Sequence, residues 1–300
     1  YAPKDRTVLL EVAQLYRQLD QPAAALQTLQ SLAETYSPGE EPGQMLDLLG
    51  ESVGQESDAA QARDTYLTML DQIAQAGVQS NVSVKLTQMG FDLGENTCLG
   101  NVSAILERAK ARQNFVRIDM EGSVYTQRTL DLFYQRLSPV FGPHVGVVIQ
   151  SCLRRSVADV DRLIDAKARV RLCKGAYLES ADVAFPDKAD VDKAYVQLMV
   201  RLMERGNYPG IATHDVAIIA RAREFAAARK IDPARFEFQM LYGVRRDLQD
   251  SLRRAGYNVR VYVPFGTQWY PYLMRRLAER PANIAFILGN VVREAVHRPA

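Results

Sequence analysis

Two adjacent arginines, Arg275 and Arg276, stand in the segment Trp269-Tyr270-Pro271-Tyr272-Leu273-Met274-Arg275-Arg276-Leu277-Ala278-Glu279-Arg280. On a helix, Arg275 and Glu279 are neighbours one turn apart, as are Arg276 and Arg280, and Tyr272 lies one turn before the pair. Paired guanidinium forks suit two-point binding of a carboxylate, which a lysine ammonium manages less well. Taken alone, the segment reads equally as an exposed charged helix laced with ion pairs. A second group of polar residues closes a series of short apolar runs: Glu51, Lys85, Asp119 with Glu121, Gln150, Arg171 with Lys174, Thr213-His214-Asp215, Gln239 and Tyr262. Any one of them could mark no more than entry into a loop. That every run ends this way points to one shared site. Lys85 and Lys174 would also permit carbonyl chemistry through a Schiff base if one of them were desolvated, so a lyase is a competing reading.

These residues need elements that bring them to one place. Short runs rich in β-branched residues alternate with longer amphipathic stretches, the pattern of repeated strand–helix units around a parallel sheet. The predicted strands are Met45 to Leu49, Asn81 to Leu86, Phe115 to Met120, Val145 to Gln150, Arg169 to Cys173, Gly210 to Thr213, Arg235 to Gln239 and Asn258 to Val263. Helices are predicted over Asp58 to Ala76, Ser103 to Ala111, Thr126 to Leu137, Ala189 to Arg205 and Val216 to Arg229, with a last one near Ala282 to Ala295. Such a series closes most naturally into an α/β fold of the (β/α)8 TIM-barrel type, whose catalytic groups gather at the carboxyl ends of the strands. A doubly wound open sheet ranks second, because no G-x-G-x-x-G turn opens any helix.

Composition narrows the function classes. The chain has 300 residues, 47% of them hydrophobic, and 37 basic side chains against 35 acidic ones leave a net charge of +2. That length accommodates one large barrel, and the balance gives no electrostatic case for nucleic acid. Cys98, Cys152 and Cys173 are widely spaced, and the histidines are His144, His214 and His297. Neither a disulfide framework nor a protein-built metal site is expected from them. No apolar run reaches the roughly 20 residues that span a bilayer, so a cytoplasmic or membrane-peripheral location is expected.

Several segments in order carry a resemblance. They are Asp47-Leu48-Leu49-Gly50-Glu51, Val82-Ser83-Val84-Lys85-Leu86, Arg117-Ile118-Asp119-Met120-Glu121, Arg171-Leu172-Cys173-Lys174-Gly175-Ala176-Tyr177, Ala212-Thr213-His214-Asp215, Phe236-Glu237-Phe238-Gln239-Met240-Leu241-Tyr242-Gly243 and the Trp269 to Arg280 helix. Together they resemble the motif set of proline dehydrogenases, over roughly residues 44 to 295. The resemblance implies oxidation of L-proline to pyrroline-5-carboxylate by hydride transfer to the N5 of FAD, with electrons passed on to quinone. It implies that Arg275 and Arg276 grip the substrate carboxylate and that Glu51 pairs with Arg275. Lys85 and Asp119 would border the amine, Tyr177 and Leu241 would cover the ring, and Tyr262 would pack at its far edge. FAD would meet Gln150, Arg171, Cys173, Lys174, Gly175, Ala176, Thr213, His214, Gln239 and Glu279, with Arg171 and Lys174 supplying positive charge near N5 and the pyrophosphate. Lys85, as part of a cationic surround, is expected to favour the neutral form of the substrate amine. The length implies a monofunctional enzyme, with peripheral membrane contact and oligomers both compatible with the family.

Residues 1–43 read differently. Leu9 to Leu19 and Pro22 to Tyr36 form two predicted helices, and Ser37-Pro38-Gly39-Glu40-Glu41-Pro42-Gly43 reads as a linker. The spacing of Val12, Ala13, Tyr16, Leu19, Ala25, Leu29, Leu32 and Pro38 follows a tetratricopeptide pattern with one slip. One such repeat cannot bury its own apolar face. Residues 44–300 are therefore read as the catalytic barrel and 1–43 as a helical segment preceding it, with a repeat-type adaptor as the non-enzymatic alternative.

Overall fold

A computed structural model of the chain describes residues 43–50, 52–242 and 244–265. The predicted N-terminal helices, Glu51 and the Trp269 to Arg280 segment lie outside the described residues, as does the predicted helix near Ala282 to Ala295.

Eight parallel strands close into a barrel in sequence order. They are β1 (Gly43–Leu48), β2 (Ser80–Val84), β3 (Val116–Ile118), β4 (Val145–Gln150), β5 (Arg169–Cys173), β6 (Gly210–Ala212), β7 (Glu237–Leu241) and β8 (Asn258–Phe265). Closure comes from β1 pairing with β8, Gly43 opposite Arg260 through Leu48 opposite Phe265. Each predicted strand is present, two of them with the predicted bounds and the others with ends moved by at most about two residues. The open doubly wound sheet is excluded by that closure.

The helices between strands are α1 (Glu56–Ala76), α2 (Glu95–Ala111), α3 (Ser123–Leu132), α4 (Ser156–Asp165), α5 (Lys188–Arg205), α6 (Val216–Arg229) and α7 (Arg246–Arg254). Helix α1 illustrates why they form. Ala59, Ala62, Tyr66, Met69, Leu70 and Ile73 bury one stripe, acidic Glu56 and Asp58 sit in the first turn, and Gly77 ends the helix in the left-handed region at φ 66°. Its Tyr66 hydroxyl donates to the Ser83 carbonyl at 2.7 Å and accepts from the Leu48 amide at 3.2 Å, tying the helix to β1 and β2.

The predicted helix Thr126 to Leu137 is not uniform. After α3 the backbone widens into a π-type turn over Phe133–Leu137 and then a short turn, Ser138–Phe141. Pro139 supplies the reason: it has no N–H to donate, and its ring would crowd the Gln135 carbonyl in a regular helix.

Side chains on these strands alternate between the barrel axis and the surrounding helices. Val170, Leu172, Phe238 and Met240 are buried in the apolar cluster that packs the helices on the barrel. The opposite parity is largely polar. Asp47, Ser83, Lys85, Arg117, Asp119, Arg171, Glu237, Gln239, Arg260 and Tyr262 meet one another across the axis. Room for bulky neighbours is made at Gly146, where an added Cβ would lie 2.4 Å from the Arg169 carbonyl oxygen and 2.6 Å from the Phe115 ring.

Candidate active site

The strand ends surround a cavity of about 510 Å³, within the range usual for small-molecule and cofactor sites. Every predicted site residue that is described lines it. These are Lys85, Asp119, Gln150, Arg171, Cys173, Lys174, Gly175, Ala176, Tyr177, Thr213, His214, Gln239, Leu241 and Tyr262. Glu51, Arg275, Arg276 and Glu279 lie outside the described residues.

On the β1–β3 side, Lys85 does not stand as an isolated cation. Its Nζ donates to both oxygens of Asp47, at 2.7 and 2.8 Å, and lies 3.8 Å from Asp119 Oδ2. Asp47 is fully buried and also accepts a hydrogen bond from the Tyr262 hydroxyl. Burial pushes the Asp47 carboxyl up, while Lys85 draws it down. Ser83 Oγ donates to Asp119 Oδ1 at 2.6 Å, orienting that carboxylate. Among the described residues, Lys85 thus faces two carboxylates, Asp47 and Asp119. The compact ion pair also engages Lys85 Nζ with two carboxylates, a poor start for attack on a carbonyl.

On the β4–β7 side, two expectations change in detail. Gln150 Nε2 donates to the Met120 and Glu121 carbonyls at 3.0 and 2.8 Å, and its Oε1 accepts from the Cys152 thiol at 3.9 Å. Lys174 Nζ sits 2.9 Å from Asp215 Oδ2 and 2.5 Å from Asp192 Oδ1. Its charge is therefore compensated within the protein. Asp215 also caps α6, accepting from the Ala217 and Ile218 amides at 3.1 and 3.4 Å.

Arg171 is held by a relay. Its Nε donates to Gln239 Oε1 at 2.8 Å, Gln239 Nε2 donates to Glu237 Oε1 at 2.6 Å, and Arg260 Nε donates to the same carboxylate at 2.9 and 3.0 Å. Burial pushes the Glu237 carboxyl up, but Arg260 and its other donors hold it below the ordinary carboxylate range. His214 Nε2 accepts from the Leu241 amide at 2.8 Å. The ring is thereby neutral with its proton on Nδ1. Burial, with the charges of Arg245 and Arg171, lowers its pKa to about 4. Gly175 passes close beneath this wall at φ 101°, where a Cβ would lie 2.4 Å from Cys152 Sγ and 2.9 Å from Gln150 Oε1.

Sequence reasoning gave no role to Asp47, Ser83, Glu237 or Lys188. The first three lie on the polar parity of their strands, and that alternation was the available signal. Lys188, at the start of α5, reaches the cavity only through the fold.

Comparison with known proteins agrees with this architecture. The family profile described as proline dehydrogenase matches residues 26–288. The match begins inside the second predicted N-terminal helix, further toward the N-terminus than the motifs themselves reach. The chain is 40% identical over 273 residues to a proline dehydrogenase of Deinococcus radiodurans, covering 90% of this chain and 86% of that protein. It is 42% identical over 249 residues to proline dehydrogenase 1 of Bacillus subtilis, covering 83% and 82%. Among solved structures, proline utilization A of Bdellovibrio bacteriovorus, inactivated by N-propargylglycine, superposes with a TM-score of 0.77 at 26% identity, over 85% of this chain and 31% of that longer one. A closed parallel barrel whose strand ends share one polar cavity, together with a family match running through all of its strands, makes this chain an enzyme of the proline dehydrogenase family.

Proposed function

We propose that this enzyme oxidises L-proline to pyrroline-5-carboxylate with FAD as the electron acceptor and a quinone as the final one. The observation that carries the reading is the convergence of the described motif residues on a single cavity, with Lys85 and Asp119 on one wall and Arg171, Thr213 and His214 on the other.

The cavity fits such a cofactor. Arg171 lines it with its Nε already held by Gln239, Thr213 Oγ1 accepts from the Asp215 amide and keeps its hydroxyl hydrogen to donate, and neutral His214 carries a proton on Nδ1. Gln150, Cys173, Lys174, Gly175, Ala176, Gln239 and Glu279 are the remaining positions assigned to its binding. FAD, when bound, supplies the two-electron acceptor at N5.

The rest falls to side chains of this chain. Arg275 and Arg276 clamp the substrate carboxylate, with Glu51 holding Arg275. Two-point binding fixes the orientation that a near-attack geometry requires. Tyr177 and Leu241 exclude water over the ring. Lys85 and Asp119 border the substrate amine, with the Asp119 carboxylate offering an acceptor to its N–H. The described residues contain no helix long and apolar enough to cross a membrane; peripheral contact would be enough for delivery of electrons to a quinone. Residues 1–42 are proposed as a helical segment ahead of the barrel, whose first strand opens at Gly43, one residue before the boundary expected from the sequence.

The test is direct. The purified protein is expected to show a flavin absorption spectrum that bleaches when L-proline is added without oxygen, with pyrroline-5-carboxylate trapped as product. A colourless protein that cannot be reconstituted with FAD, or a flavin that proline leaves oxidised, would overturn the reading.

A further inference from the structure

One carboxylate serves two walls of the cavity. Asp47 lies on β1, between β2 and β8, and receives Lys85 from one neighbour and Tyr262 from the other. Lys85 and Tyr262 both line the cavity, whereas Asp47 lies beneath it with none of its surface exposed.

An ordinary stabilising ion pair would need only one of these partners. Here the two donors come from strands that are not adjacent except through β1, at the seam where the barrel closes. With its hydrogen committed to Asp47, the Tyr262 hydroxyl presents an oxygen lone pair rather than a donor to anything beside it. The Arg171 guanidinium stands 5.3 Å from the Tyr262 ring centroid, so the orientation of that ring also bears on the opposite wall.

We propose that Asp47 is a positioning residue for the reaction, setting the Lys85 ammonium and the Tyr262 hydroxyl in register with each other at the substrate end of the cavity. This rests on the proline-oxidising reading above, and bleaching of the wild-type holoenzyme by L-proline tests that reading first and separately.

Asp47→Asn keeps the shape but offers one acceptor where two donors converge. In the holoenzyme it is expected to lower kcat/KM for L-proline at least about tenfold, the cost of one lost charge-assisted contact, while the flavin spectrum is retained. It is also expected to move the pH profile. Among the described residues, the charged and titratable groups around Asp47 and its two donors Lys85 and Tyr262 are Asp119, Tyr66 and, beside the Tyr262 ring, Arg171. Loss of the Asp47 charge leaves Lys85 less stabilised as an ammonium, so any limb arising from Lys85 shifts to lower pH.

A variant with lowered Tm but unchanged kcat, KM and pH profile would overturn the proposal, because Asp47 would then serve the fold alone. If Asp47→Asn does not fold, Lys85→Met, Tyr262→Phe and the double variant give the same answer. Non-additive losses in kcat/KM are expected for groups coupled through one carboxylate. Additive losses would overturn it.

Discussion

At the residue scale, both lysines singled out on the strand ends are paired with carboxylates of the protein. Lys85 faces Asp47 and Asp119, and Lys174 faces Asp192 and Asp215. A substrate or cofactor therefore meets these two lysines as paired charges, with the Arg171 guanidinium beside them held by the neutral Gln239 amide. His214 is the group with a clear consequence for pH. Its folded pKa, about 4, lies below the ordinary 6.5. As pH falls, the unfolded chain binds the proton first, so the stability associated with a neutral His214 is complete above pH 6.5 and is lost between 6.5 and about 4. His214→Gln is expected to flatten the slope of Tm against pH in that window. Equal slopes for the two proteins would dismiss His214 as the source. Lys85, Asp119, Lys174, His214 and Asp215 were legible in the sequence as strand-end polar residues, whereas Asp47 and Asp192 were not. Their pairing was not, because Lys85 and Asp47 are brought together by neighbouring strands separated by the whole of α1.

At the element scale, strand register does the positioning. Alternation places Arg171 and Cys173 on one face of β5 and Val170 and Leu172 on the other, and β7 separates Glu237 and Gln239 from Phe238 and Met240 in the same way. A one-residue slip would send the site to the helices and the apolar residues to the cavity. The tight packing between β4 and β5 depends on the missing side chain at Gly146. Gly146→Ala places a Cβ against backbone, which cannot rotate away, and is expected to cost about 2 kcal/mol or more. Equilibrium urea unfolding followed by circular dichroism measures this, and a midpoint equal to that of the parent would contradict the packing account. The strands and most helices could be read from β-branched runs and apolar stripes. The π-type turn at Phe133–Leu137 could not, since periodicity alone runs through Leu137 without interruption and only the geometry around Pro139 breaks it.

At the scale of the whole molecule, barrel closure turns separate strand ends into one cavity. Pairing of β1 with β8 joins Asp47 to Tyr262, which are far apart in the chain. A cofactor seated across that mouth would contact residues from several strands at once and would bind only the closed barrel. Added FAD is therefore expected to raise Tm with concentration, by an amount equivalent to about 2.7 kcal/mol when free ligand is 100 times its Kd. A Tm that is insensitive to FAD in protein stripped of flavin would count against a cofactor site spanning the strands.

The sequence by itself determined the strand–helix alternation, the barrel class, the family and many of the residues that line the cavity, because each of these is carried by local periodicity or by motifs a few residues long. Only the tertiary structure decided which charges compensate which, that Asp47 joins two walls, and that Glu237 and Gln239 hold Arg171. Those contacts run between strands across the barrel axis, and their energies depend on burial and distance, which no local stretch of chain encodes.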